Sequence, residues 1–463
     1  MSEESLPEGW ARLSLADAGA WSAGGTPSRK VSAYFGGGIP WVKSGDLNDS
    51  VVTSVEETLS QSGLQNSSAK VLPKGTVSIA MYGATIGKTG IFGLDAATNQ
   101  ACANCRVHEG LVDRKFLLYF LQSQKDEFVG AGQGGAQPNI SATILKAWPF
   151  LLAPLPEQHR IVEKVEALLE QVNRAKERLD RVPLILKRFR QAVLAAACSG
   201  QLGHAREAAV AGPLEFLPEL PHGWRWMTAE ETCSRVVDCH NKTAPYTETG
   251  IRLLRTTNIR GGKLVLDDAR FVSEETYKFW SRRCPPEPGD VLFTREAPMG
   301  EAALIPPGMK ICMGQRMMLL RADRKLLSPE YLLLAVQAPY VHKYAEHVAV
   351  GSGVLHMRVG DVERMPIPVP PKEEQAALVT LAKSALSFVD KVEERLDRAT
   401  HRAEQIPQSI LSKAFAGELV PTEAELARLE GRTYETAEEL LKRVTALGSD
   451  VPSARKGRGR RTG

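Results

Sequence analysis

The residues closest to a chemical motif are Gly83-Ala84-Thr85-Ile86-Gly87-Lys88-Thr89. A phosphate-cradling loop needs four residues between its glycines, so that backbone N–H groups hold the phosphates while the lysine neutralises them. Here three residues intervene, and Tyr82 stands where the first glycine belongs, which argues against an ATP site. Cys102, Cys105 and His108 have the spacing of metal ligands, but a structural zinc site needs a fourth, and no second cysteine pair lies at a matching distance. Phe35-Gly36-Gly37-Gly38 is too short for a nucleotide fingerprint and reads as a turn. No paired carboxylates, nucleophile elbow or nuclease constellation stands out. The reading is a chain with no catalytic residues, no metal and no cofactor of its own.

The elements that would position any site come from a repeat. Leu6-Pro7-Glu8-Gly9-Trp10 returns as Leu220-Pro221-His222-Gly223-Trp224, and Glu177-Arg178-Leu179-Asp180-Arg181 returns unchanged as Glu394–Arg398, 217 positions later. Gln191, Leu194, Gly200 and Leu202 fall at the same offset on Gln408, Leu411, Gly417 and Leu419. Self-similarity at a long period decides architecture before any motif does. The chain is a tandem duplication of a unit of about 215 residues. Identity is close at the helical ends and only skeletal earlier: Trp41–Gly45 against Leu253–Thr257, and Gly75–Ile79 against Gly289–Phe293. Two copies of one scaffold therefore carry two different surfaces.

In each copy short β-branched runs alternate with Gly/Pro turns, as in Thr76–Met81 and Val291–Thr294, and give way to helical patterns at Lys115–Gln124 and Pro329–Gln337. An α+β fold follows. From Glu157 the pattern becomes a heptad: Ile161, Val165, Leu168, Val172, Ala175, Leu179, Val182, Leu186, Phe189, Val193 and Ala196 alternate by four and three. Leu378, Ala382, Ala385, Val389, Val392, Leu396, Ala399, Ala403, Ile406 and Ile410 repeat it. Both helices start after a proline, Pro156 or Pro371, with glutamates in the first turn, and stop at a glycine, Gly200 or Gly417. Helices of about 43 residues, roughly 65 Å at 1.5 Å per residue, outreach a domain of about 150 residues, so the two are expected to pair. Pro183 and Pro407 interrupt the pattern, but the seam phase survives both, which predicts bends rather than ends. The expected boundaries are a globular domain over 1–155, a long helix over 156–202, a second domain over 213–370, a second helix over 371–418, and a helical segment with a disordered basic tail over 419–463.

Composition narrows the class. Hydrophobic residues make up 43% and charged residues 24%, as in ordinary globular proteins. No run approaches the roughly 18–20 apolar residues that cross a bilayer, and Met1–Trp10 lacks the basic start and apolar stretch of a signal peptide, so no membrane is expected and a cytoplasmic location is. Seven cysteines, an odd number on a long chain, argue against a disulfide framework. The net charge is +4, but Arg455, Lys456, Arg458, Arg460 and Arg461 supply five of the positive charges, leaving the rest at about −1. Overall charge does not announce a nucleic-acid binder, so any positive field must be local or come from partners.

What remains at corresponding places are polar, glycine-rich loops. Tyr82–Thr85 and Arg295–Pro298 follow a strand, while Gly132–Asn139 and Gly351–Arg358 precede the proline-rich entries to the long helices. Gln, Asn, Arg and Lys on loops are groups that pair with base edges, and small residues permit close approach to phosphates. Ordinary turns are the plain alternative.

With these parts in view, the sequence resembles the specificity (S) subunit of type I DNA restriction-modification systems. The resemblance rests on the Leu-Pro-x-Gly-Trp openings, the segment Met81–Gly90, the helix starts LPEQHRIVEKV and PPKEEQAALV, and the helix ends Arg188–Leu202 and Ser409–Leu419. It spans about residues 5–445. The resemblance implies two target recognition domains, each reading one half of a split site in double-stranded DNA, joined by two long antiparallel coiled-coil helices that act as a spacer. It implies as partners two modification (methyltransferase) subunits that use S-adenosylmethionine, and restriction subunits, ATP-dependent translocases and endonucleases that use magnesium. The half-sites would lie about one helical turn apart and inverted. Base readout is then expected from Lys43, Ser44, Tyr82, Thr85, Gln137 and Asn139 in the first half. In the second it is expected from Arg255, Thr256, Asn258, Arg295, Glu296, His356 and Arg358. Other bipartite restriction enzymes share this subunit architecture. An internally catalytic enzyme would bind ATP or S-adenosylmethionine by itself, and a non-DNA coiled-coil scaffold would show no sequence preference.

Overall fold

The computed structural model describes residues 6–132, 139–202, 208–240 and 242–449. It divides into two compact units, one formed by Met1–Arg178 with Thr400–Gly463, the other by Leu179–Ala399. The expectations for Gln137 and for the basic tail lie outside the described residues.

The first unit holds strands β1 (Gly19–Ala23), β2 (Phe35–Val42), β3 (Ser50–Val52), β4 (Thr58–Leu59), β5 (Val77–Ala80), β6 (Thr89–Phe92), β7 (Ala97–Thr98) and β8 (Cys102–Val107). Five form a sheet in the order β1-β8-β5-β6-β3, and β4-β2-β7 form a second. The central strand β5 is buried throughout, which is why its β-branched residues are tolerated without a solvent face. Its one polar side chain, Ser78, donates to Asn104 Oδ1 at 2.8 Å, and Asn104 Nδ2 donates to Thr98 Oγ1 at 2.8 Å, so buried polarity is satisfied. Helix α1 (Arg114–Ser123) starts because Asp113 accepts from the N–H groups of Lys115 and Phe116. It buries Phe116 and Phe120 in an edge-to-face cluster with Phe150 and Phe415.

The second unit repeats the plan with β9 (Cys233–Asp238), β10 (Ile251–Leu254), β11 (Arg270–Val272), β12 (Val291–Thr294), β13 (Ala302–Leu304), β14 (Ile311–Met313) and β15 (Met317–Ala322). The sheet orders are β9-β15-β12-β13 and β11-β10-β14. In each copy the inner strand of the small sheet has one antiparallel and one parallel neighbour: β2 between β4 and β7, β10 between β11 and β14. The duplication read from the sequence is therefore a duplication of topology.

Both units are tied at the start of a long helix by one glutamine. Gln158 accepts from Asp113 N–H at 2.8 Å and donates to the carbonyls of Leu111 and Ala153, each at 2.8 Å. Gln375 accepts from Ser328 N–H at 2.8 Å and donates to Leu326 O at 2.8 Å. Each helix-end glycine is equally specific. A Cβ on Gly200 (φ +72°) would lie 2.4 Å from Pro221, and one on Gly417 (φ +75°) 2.3 Å from Pro7, so the Leu-Pro-x-Gly-Trp motifs pack where only glycine fits.

The first long helix is two helices, α2 (Leu155–Leu179) and α3 (Val182–Cys198), separated by a turn at Asp180 and Arg181. The expected bend at Pro183 is thus an end: proline offers no N–H to the carbonyl four residues back and sits comfortably in a new first turn. The second, α4 (Lys372–Phe415), does run through Pro407. The seam is also shorter than the heptad implies. Ile161, Val165 and Val172 join Ile410, Leu411 and Phe415 in the first core, and Val193 and Leu194 join Leu378, Val379 and Ala382 in the second. Phe189 and Ile406 are 44% and 42% exposed, and Ala175 is exposed. A straight helix drifts about 20° per heptad, so a strict 4-3 pattern leaves the contact line unless the helices supercoil.

Two short helices, α5 (Glu423–Glu430) and α6 (Ala437–Ser449), belong to the first unit. Arg160 pairs with Glu423 at 2.7 Å, Arg428 and Tyr434 both reach Glu8, and Leu440 and Val444 enter the core with Trp10. Among the described residues no helix is long and apolar enough to cross a membrane.

Candidate nucleic-acid interface

In each unit, four loops meet at the end of the strands through one repeated set of backbone hydrogen bonds. Val42 O accepts from Asn99 N–H at 3.0 Å, and Leu254 O from Gly314 N–H at 2.8 Å. Met81 N–H donates to Ala101 O at 2.8 Å, and Arg295 N–H to Arg316 O at 2.9 Å. Ile140 N–H donates to Met81 O at 2.9 Å, and Met357 N–H to Arg295 O at 3.1 Å. Tyr82 bridges Asn139 as Glu296 bridges His356. These bonds equate Tyr82 with Glu296 and Asn139 with His356, and they gather the described residues among those expected in each half onto one edge.

The first loop of each set is a tight turn. Lys43 N–H donates to Asp46 Oδ2 at 2.7 Å, and Arg255 N–H to Asn258 Oδ1 at 2.9 Å. The backbone thereby presents a cation at the same point in both halves. In the first half Lys43 Nζ reaches Glu57 Oε1 at 2.7 Å, and Arg29 reaches Glu57 Oε2 at 2.6 Å. The hydrogen bond from Arg29, then that from Lys43, pulls the Glu57 carboxyl down to about 2, and the same carboxylate raises Lys43. Arg29 also lies over the rings of Phe35 and Trp41, at 4.7 and 5.1 Å from their centroids. Tyr82 is 40% exposed, Ser44 half-buried and Asn139 exposed.

In the second half Arg255 donates to Asp268 O at 3.1 Å, and its buried Nε has no partner among the described residues. Arg358 is exposed and His356 half-buried. Glu296 pairs with Arg316 at 3.3 Å. A cleft of about 270 Å³ opens here, lined by Tyr246, Arg255, Thr257, Gln315 and Arg316 among others.

Four of the expected readers have other work. Asn258 is 1% exposed, with its oxygen on Arg255 N–H and its Nδ2 on Val265 O at 2.9 Å, so it builds the turn. Thr256 is buried and donates to Ala297 O at 3.0 Å, and the Thr85 hydroxyl donates to Tyr82 O at 2.8 Å. Arg295 donates to Met357 O at 2.9 Å and braces two loops together. Conversely, Arg29, Gln100, Gln315 and Arg316 stand at this edge without having been singled out. The two glutamines share an offset of 215, hidden because the offset is 214 at Gly75 and 217 at Asn139.

The motif-like residues are built into sheets. Gly83–Thr85 is a short turn between β5 and β6 and opens no helix, so it lacks the aligned N–H groups of a phosphate loop. Cys102 and Cys105 sit three apart on β8, hence on opposite faces, and burial pushes both thiols up to about 12.

A family model described as the type I restriction modification DNA specificity domain matches residues 7–183 and 242–398. The type I restriction enzyme EcoKI specificity subunit of Escherichia coli strain K12 is 26% identical over 435 residues, which span 90% of this chain and 91% of that one. The EcoBI specificity subunit of Escherichia coli is 26% identical over 334 residues, 70% of this chain and 69% of that one. A chain from a structural study of complex assembly and conformational transition of the type I R-M system aligns with a TM-score of 0.68 at 20% identity, over 90% of this chain and all of that one. The HsdS subunit from Thermoanaerobacter tengcongensis aligns with a TM-score of 0.56 at 19% identity, over 90% of this chain and 99% of that one. The structural likenesses bear on the fold.

Proposed function

Because the chain belongs to the type I restriction-modification DNA specificity family, we propose that its two repeats read the two halves of one split DNA site. It is the DNA sequence-specificity subunit of such a system and associates with DNA and with the system's other subunits. The observation that carries the two-reader proposal is the repeated loop set: one backbone arrangement presents Tyr82 or Glu296, and Asn139 or His356. An unchanged frame with exchanged side chains is what two readers of different sequences require, since base-edge contacts specify and frame contacts position. Lys43, Ser44, Tyr82, Asn139 and Gln137, the last outside the described residues, are the proposed readers of the first half, with Arg255, Glu296, His356 and Arg358 in the second.

In this reading the chain is non-catalytic. Two modification subunits supply methyl transfer, and restriction subunits supply ATP-driven translocation and cleavage. The long helices set the distance between half-sites and dock the modification subunits. Leu184, Ile185 and Phe189 on α3, with Leu381 and Phe388 on α4, are exposed apolar side chains of the kind a partner subunit covers.

Methylation-sensitive sequencing of a host carrying the complex tests this. The wild-type chain should yield a bipartite motif, and Arg255→Ala should relax one half only, since a good bidentate base contact is worth about 1–3 kcal/mol of discrimination. Loss at both halves alike, or no loss, would count against the assignment.

A further inference from the structure

Gln100 and Gln315 occupy one position in the two copies. Each follows the residue whose N–H meets the end of the inner strand, Asn99 on Val42 or Gly314 on Leu254, and each precedes the residue whose carbonyl holds the next loop, Ala101 on Met81 or Arg316 on Arg295. Between two such bonds the backbone has little slack, so both glutamines branch from the same place on the loop edge. Gln100 is exposed and its Oε1 accepts from the Thr26 hydroxyl, while Gln315 lines the cleft beside Arg255 and makes no side-chain hydrogen bond among the described residues.

The neighbours of these glutamines change class between copies: Ala101 becomes Arg316, Tyr82 becomes Glu296 and Asn139 becomes His356. A side chain retained where its surroundings diverge contacts something both half-sites have, and the feature that every half-site has is the sugar-phosphate backbone. An amide N–H donates to a phosphate oxygen whatever the base. We propose that Gln100 and Gln315 are positioning residues that each grip a backbone phosphate of their half-site, fixing the register in which the divergent loops meet the bases. The proposal rests on the half-site reading above.

The experiment uses the chain co-expressed with its modification subunits and competition binding to duplexes carrying the wild-type methylation motif, alongside duplexes with single base changes in either half. Gln315→Ala should weaken binding to every duplex about threefold to tenfold, the effect of one lost hydrogen bond, with the ranking of duplexes unchanged. Gln315→Lys should restore affinity with the same ranking, and Gln315→Glu should lose more than alanine through repulsion of the phosphate. Gln100 variants should behave alike. A changed ranking confined to one half-site would make the glutamine a base reader and overturn the proposal, as would unchanged binding by both alanine variants. If the wild-type complex ranks all duplexes equally, the half-site reading fails, whereas a uniform loss from Gln315→Ala would still stand for the backbone contact.

Discussion

Trp10 donates its indole N–H to Glu157 Oε1 at 2.7 Å, and Trp224 donates in the same way to Glu374 at 3.1 Å. The tryptophan of each Leu-Pro-x-Gly-Trp opening thus anchors the first turn of the long helix that follows its own globular domain. The two anchors differ in surroundings. Glu157 is fully buried and its other oxygen takes Glu423 N–H at 2.7 Å, whereas Glu374 is half-buried.

From that difference, Trp10→Phe should destabilise the chain by about 1–3 kcal/mol, the range for a buried acceptor left without its donor. Trp224→Phe should cost less, because Glu374 is only half-buried and already in contact with solvent. The urea midpoints of the two variants give the comparison, and an equal or reversed order would contradict it.

The two buried or bridged carboxylates respond oppositely to pH. Burial raises the Glu157 carboxyl, so its contribution is greatest when protonated and is lost as pH rises through its folded value. Glu57, drawn down to about 2 by Arg29 and Lys43, contributes stability above the usual carboxylate value near 4.5, and this is lost as pH falls toward 2. Glu57→Gln should therefore differ from wild type at pH 6 and converge with it near pH 2. A constant difference across urea titrations at those pH values would remove the ion pair from the explanation.

The seam separates into positions that fold the chain and positions that do not. Val389 is fully buried, so Val389→Asp should prevent folding of the second unit, an unpaired buried charge costing several kcal/mol. Phe189→Asp, at a site 44% exposed, should fold with a near-normal thermal midpoint yet assemble poorly with a modification subunit. Normal co-purification of that variant would remove this face from the docking surface.

The sequence made the duplication, the heptads and the capping glycines legible, because identity at a fixed offset and a 4-3 spacing need no tertiary knowledge. The break before Pro183 was not legible, since a proline is compatible with both a kink and a new first turn, and the carbonyl it leaves unpaired decides nothing in a sequence. Asn258 and the adjacent candidates share the residue types of base readers, but Asn258 serves the turn as Asp46 does in the other copy. Gln100 and Gln315 stayed hidden because insertions move the offset between copies from 214 to 217.

Spacing between half-sites is the property that most directly tests the long helices. Four residues inserted into α4 between its two buried ends would add about 6 Å of rise and turn the helix by about 400°, returning the seam to within about 40° of its original face. Such an insertion keeps most apolar positions on the contact line while lengthening the separation by less than two base-pair steps of about 3.4 Å. The methylation motif should keep both half-sites and gain one or two unspecified positions between them. A second insertion of four residues in α2 should reinforce the effect, because both helices then lengthen together. A motif with its gap unchanged would show that the helices do not set the spacing, and a motif with altered half-sites would show that they also orient the loops that read the bases.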